Sequence, residues 1–147
     1  MEAVYPYAHI IHLILAIIFL GYVFTDLAVI STLKNKFSKD TQKEINQTMG
    51  ARSFKIFPIS LLALVLTGGM MLSKYMNSDA GFIQTDLQKI LLFKILLVLV
   101  IVAGVLSNLY VRFTKGTKSK FMQNDFHKLV IVLGFFIVVS AKLMFII

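Results

Sequence analysis

The sequence predicts an all-α protein: an integral membrane up-down four-helix bundle, a single domain over residues 1–147, with the N-terminus and the C-terminus outside. Three observations lead there. The 147 residues are 58% hydrophobic with a mean hydropathy of +0.83, more apolar surface than a soluble domain of this size can hide. The apolar residues collect into four runs, each near the ~20 residues that cross ~30 Å of hydrocarbon as a helix. The cationic residues collect in alternate connections between those runs.

The first run covers about residues 7–30. It is too long for the apolar core of a secretion signal, and the segment before it carries Glu2 where a signal has basic residues, so it is expected to remain as the first helix. The second run covers about 54–72, with Pro58 in its first turns, where a missing N–H costs least. The third covers about 90–110 and the fourth about 129–147. A segment in lipid must satisfy its own backbone, so each run is a helix. Gly21, Gly68, Gly69, Gly104 and Gly134 give every helix a small residue for close helix contact.

The connections set orientation. The first, 31–52, carries Lys34, Lys36, Lys39, Lys43 and Arg52, with Lys55 following; the third carries Arg112, Lys115, Lys118, Lys120 and Lys128. The second, 73–89, holds Lys74 and Lys89 against Asp79 and Asp86. The excess of cations places the first and third connections in the cytoplasm of a bacterial-type inner membrane. The net charge of +8 is then a topology signal and a contact with anionic lipid, not a nucleic-acid surface. With no cysteine in the chain, disulfides, thiolate metal sites and cysteine nucleophiles are excluded. No Ser–His–Asp order, phosphate-binding glycine loop or pair of carboxylates at one depth is present.

The residues that hydrocarbon should reject are the informative ones: His9, His12, Asp26, Lys94, Asn108 and Lys142. His12 and Lys94 each lie five residues past the outer start of their helix, ~7–8 Å below the interface. Lys142 reaches a similar depth from the C-terminal end, and Met70 and Met71 close the second helix on the same side. His9 and His12, three apart, share a helix face. His12 and Asp26 are fourteen apart, as are Lys94 and Asn108, so each pair falls within ~40° on its helix. The expectation is an outer site, and an inner polar cluster of Asp26 and Asn108 with Arg52 or Arg112; an Asp26 without a partner would be protonated. Plainer roles stand beside these. His9 suits an interfacial position near Tyr5 and Tyr7, Lys94 and Lys142 can snorkel, the methionines can simply pack, and Asp26 can anchor orientation.

An inward histidine in a membrane bundle suits haem iron, and a lysine suits a second ligand or a propionate partner. A set of His9, His12, Met70 and Met71 suits Cu(I) instead. A structural subunit without cofactor is the third reading.

Four stretches carry a family resemblance: HLILAIIFLG (His12–Gly21), RSFKIFPISLLALVLTGG (Arg52–Gly69), FKILLVLVIVAG (Phe93–Gly104) and FIVVSAKL (Phe136–Leu143). Together they resemble the superfamily that joins the CopD copper-resistance membrane domain to the HemJ-type protoporphyrinogen oxidases. The resemblance implies four spans, haem b held by the helix-one histidine and helix-three lysine, and a redox reaction with a redox partner or quinone. By position those residues are His12 and Lys94, with His9 as the competing register. Helix one lacks the tryptophan and Leu-Pro-Arg segment of HemJ-type proteins and reads YVFTDLAV. In that respect it is more similar to CopD, which implies copper.

Overall fold

The computed structural model describes residues 4–75, 83–116, 125–144 and 146. Every regular element among them is helical. Helix α1 (Tyr5–Thr25) runs through a π-helical turn (Asp26–Ile30) into α2 (Ser31–Lys34); α3 spans Lys39–Tyr75, α4 Asp86–Lys115 and α5 Phe126–Leu143. Four of these rods are long and apolar enough to cross a membrane: Tyr5–Leu33, Lys39–Tyr75, Asp86–Lys115 and Phe126–Leu143. The chain divides into two compact units, Met1–Met70 and Met71–Ile147.

The first unit is an antiparallel helical hairpin. Its register is fixed by three side-chain pairs across the seam: His12 with Thr67, Phe19 with Phe57, and Tyr22 with Ser53. The aromatic pair stacks at 4.6 Å between centroids and 33° between planes. Phe19, Val23, Phe57 and Leu61 are buried around it. The outward sides, such as Ile10, Ile14, Ile17, Ile59, Leu62 and Leu66, are exposed, as suits contact with lipid.

The register corrects the extent of the helices. Residues 31–52 were expected to be a connection, yet all but residues 35–38 are helical. Hydropathy marks the length that hydrocarbon covers, whereas helix continues wherever propensity allows. Lys, Gln, Glu and Arg, plentiful in 39–55, are good helix formers in water. The 37-residue α3 is therefore ~55 Å long, far more than a ~30 Å hydrocarbon core needs. Its apolar part, 54–72, lies beside α1 up to about Tyr22. Its polar part, 39–53, continues the same rod by ~22 Å; with residues 26–37 it is called the stalk below. Asp26 lies one turn beyond Tyr22, which bonds to Ser53 of α3. Val29, Leu33 and Phe37 are apolar residues exposed on the stalk.

The π turn also begins at Asp26. Ser31 Oγ and Thr32 Oγ1 donate to the carbonyls of Leu27 and Ala28, so the hydroxyls help satisfy the widened turn. Pro58 lies inside α3 rather than in its first turns, because the helix starts fifteen or more residues earlier than the apolar run.

The second unit holds the end of α3, α4 and α5. Thr85 caps α4: its hydroxyl accepts from Gln88 N at 3.2 Å while Gln88 Oε1 accepts from Thr85 N at 3.2 Å, a capping box. The same Oε1 accepts from Gln84 N at 2.9 Å, and Gln88 Nε2 donates to Tyr75 O at 3.3 Å. Gln88, buried, so ties the start of α4 to the end of α3. Leu97, Ile101, Val105 and Asn108 form the buried stripe of α4; Phe126, Val130, Gly134 and Ser140 form that of α5. Phe126 is fully buried against Gly104, where a Cβ would overlap its ring. Helix α4 ends at Gly116, whose φ of 66° is the left-handed cap that glycine adopts without strain. The fourth helix, expected at 129–147, runs from Phe126 to Leu143. Asp79, Lys118 and Lys120 lie outside the described residues, as does the side chain of Lys34.

Candidate functional site

The part of the first hairpin nearer the start of α1 carries the best-built polar arrangement. His12 lies two turns into α1, and its ring turns toward α3. Its Nδ1 is 2.8 Å from Thr67 Oγ1. Thr67 Oγ1 in turn donates to Ala63 O at 2.8 Å and lies 3.2 Å from Leu64 O. The next residue, Gly68, presents no side chain to the ring: a Cβ there would come within 3.3 Å of His12 Cε1. Thr67 and Gly68 together make a seat for the imidazole, one by bonding it and the other by leaving room.

His9 takes a different place. It is exposed, with its ring 6.1 Å from that of Tyr5. A separation of three residues puts two side chains ~60° apart around a helix, and here that is enough to send one ring to the surface and the other into the seam. Met70 is exposed and Met71 half-buried. Among the described residues no group of three or more His, Asp or Glu gathers as a metal site.

Further along the same hairpin, Tyr22 and Ser53 bond across the seam. Ser53 Oγ donates to Met49 O at 2.7 Å, so the tyrosine hydroxyl is the donor of the cross-seam bond. Asp26, half-buried, follows one turn after Tyr22, and Arg52 is exposed.

In the second unit, Lys94 is half-buried and lies one turn before Leu97 on the buried stripe of α4; Asn108 is buried near the other end of that stripe. The Oδ1 of Asn108 has no hydrogen-bond partner among the described residues. Arg112, one turn further on, is half-buried, and Lys142 is exposed near the end of α5.

Sequence reasoning missed Thr67, Ser53, Tyr22 and Gln88 as polar partners. The sequence TDLQ, Thr85–Gln88, carries the capping-box pattern that identifies Gln88. Nothing in one sequence sets the register between α1 and α3, so Thr67 was not legible as the partner of His12.

No protein-family model, curated protein or solved structure matches the chain.

Proposed function

We propose that the protein is an integral membrane haem b-binding protein with a redox role, inserted in a bacterial-type inner membrane with both termini outside and the lysine-rich stalk in the cytoplasm. The observation that supports this reading is the inward turn of His12. An imidazole inside an apolar hairpin, bonded through one nitrogen to a neighbouring helix, is a donor that haem iron accepts. His9, exposed beside Tyr5, is the weaker of the two candidates. Haem bound there would supply one-electron chemistry. The chain's part is to hold the imidazole at a fixed angle and to exclude water with its apolar walls. Participation of Lys94 is tested on its own by the spectrum of Lys94→Met.

The deciding measurement is the visible spectrum of the detergent-purified protein, oxidised and reduced. A Soret band that is present in the wild type and lost in His12→Ala, but retained in His9→Ala, is expected. A wild type without a Soret band after haem supplementation rejects the reading. Copper retained by that wild type and lost from His12→Ala would transfer the same imidazole to a copper-handling role.

A further inference from the structure

We propose that the tip of the stalk, Leu33 and Phe37 with Lys36, Lys39 and Lys43, is a docking surface for a water-soluble protein that presents an acidic face with an apolar centre. The proposal holds whatever His12 binds. Leu33 and Phe37 are 45% and 46% exposed, and Val29, one turn before Leu33 and 47% exposed, continues the patch back along the helix. The other large apolar residues exposed in the first unit lie within 4–24 and 56–70, stretches that lipid can surround. The tip is a bonded turn. Lys36 N donates to Leu33 O at 3.0 Å, and Gln42 Nε2 donates to Phe37 O at 2.8 Å. Gln42 N donates to Ser38 O at 2.9 Å, and Ser38 Oγ lies 3.0 Å from Thr41 Oγ1. Phe37 is thereby held against the first turn of α3, at the far end of the 37-residue rod.

Length decides against lipid as the cover. Lys39 stands fifteen residues before Phe54, where the apolar part of α3 begins, a rise of ~22 Å. The headgroup layer on each side of a bilayer is only ~5–8 Å thick. An ordinary tilt of ~20° shortens the rise by less than about a tenth. With 54–72 in hydrocarbon, the tip therefore stands in water, where apolar side chains rimmed by charge suit a protein interface. The rim then selects the partner. Residues 34–44 hold four lysines against one aspartate and one glutamate. Asp40 lies in the first turn of α3, where the helix N-terminus favours a carboxylate. Lys36, Lys39 and Lys43 are exposed, the last two one turn apart. A second copy of the chain docked here by a two-fold axis would set these cations against their own kind, which opposes association. An acidic partner supplies the complementary sign.

The chain has no tryptophan, so Phe37→Trp gives a single reporter in nanodiscs of phosphatidylcholine and phosphatidylglycerol. The expected emission is that of an indole in water, unquenched by brominated lipid; quenching would lay the tip on the bilayer and overturn the proposal. A photo-reactive residue is then placed in cells at position 33 or 37, with the exposed Gln47 and Thr48 of α3 as control positions. One protein adduct is expected from 33 and 37, weak or absent from the controls, and lost when Lys36→Glu, Lys39→Glu and Lys43→Glu are combined. The adduct's partner, identified and purified, should bind the full chain in nanodiscs. Its Kd should rise about tenfold or more between ~0.05 and ~0.3 M salt, and by a similar factor on the triple charge reversal. An adduct only with a second copy, an adduct equally strong at the controls, no adduct, or binding indifferent to salt and charge reversal overturns the proposal.

Discussion

The two hairpins solve one problem with different chemistry. In the first, α1 and α3 are joined by polar bonds inside apolar surroundings, His12 to Thr67 and Tyr22 to Ser53, with Phe19 on Phe57 between them. In the second, α4 and α5 meet along a stripe of aliphatic residues and glycines, closed at one end by Phe126 against Gly104. Lipid is as apolar as leucine, so burial of leucine gives little net attraction between helices there. What remains is close packing and hydrogen bonding. The second hairpin relies on the first of these and the first hairpin on the second. A polar seam also costs more sequence freedom, because each bond needs two particular residues at one depth. That cost is understandable where a side chain such as His12 must be held at one angle.

The comparison can be broken by substitution, with stability read by unfolding in mixed detergent micelles. The largest loss is expected in the packed seam: Phe126→Ala removes a fully buried ring and should destabilise by ~3 kcal/mol or more. Gly104→Ala should cost ~1–3 kcal/mol by overpacking the same ring, and adding Phe126→Leu should recover part of it. If both substitutions prove silent, the second hairpin is not held by this contact. Tyr22→Phe in the polar seam should cost less, ~0.6 kcal/mol, the usual size of such a bond in a membrane. A loss as large as that of Phe126→Ala would reverse the ranking of the two seams. The smallest effect should be at Asn108. Its buried Oδ1 has no partner among the described residues, so Asn108→Leu relieves a desolvated acceptor and should be neutral or stabilising. A clear destabilisation would show that the amide bonds a group that the described contacts do not include.

The four spans were legible because hydrocarbon imposes a length and a composition that any 20-residue window reveals. The ends were not. Residues 39–53 read as a loop by hydropathy, but form two-fifths or so of one continuous rod, since polar helix formers need no lipid to stay helical. His9 and His12 were read as one face, whereas the seam, narrower than a face, takes His12 alone. Periodicity gives direction to within a residue or so, and a ligand site requires better. Asn108 lies on the buried stripe of α4 and Lys94, half-buried, one turn before Leu97, in a helix with no irregular turn between them.

The irregular turn of α1 does intervene. One additional residue in a helical turn rotates everything downstream by ~100° about the axis without bending it. The rod before Asp26 and the rod after it are thereby phased separately. Upstream, the phase serves the fit of His12, Phe19 and Tyr22 to α3. Downstream, it decides which way the exposed Val29 and Leu33 face. Evolution can retune the outward display of the stalk by gaining or losing a single residue at this turn, and leave the membrane seam untouched.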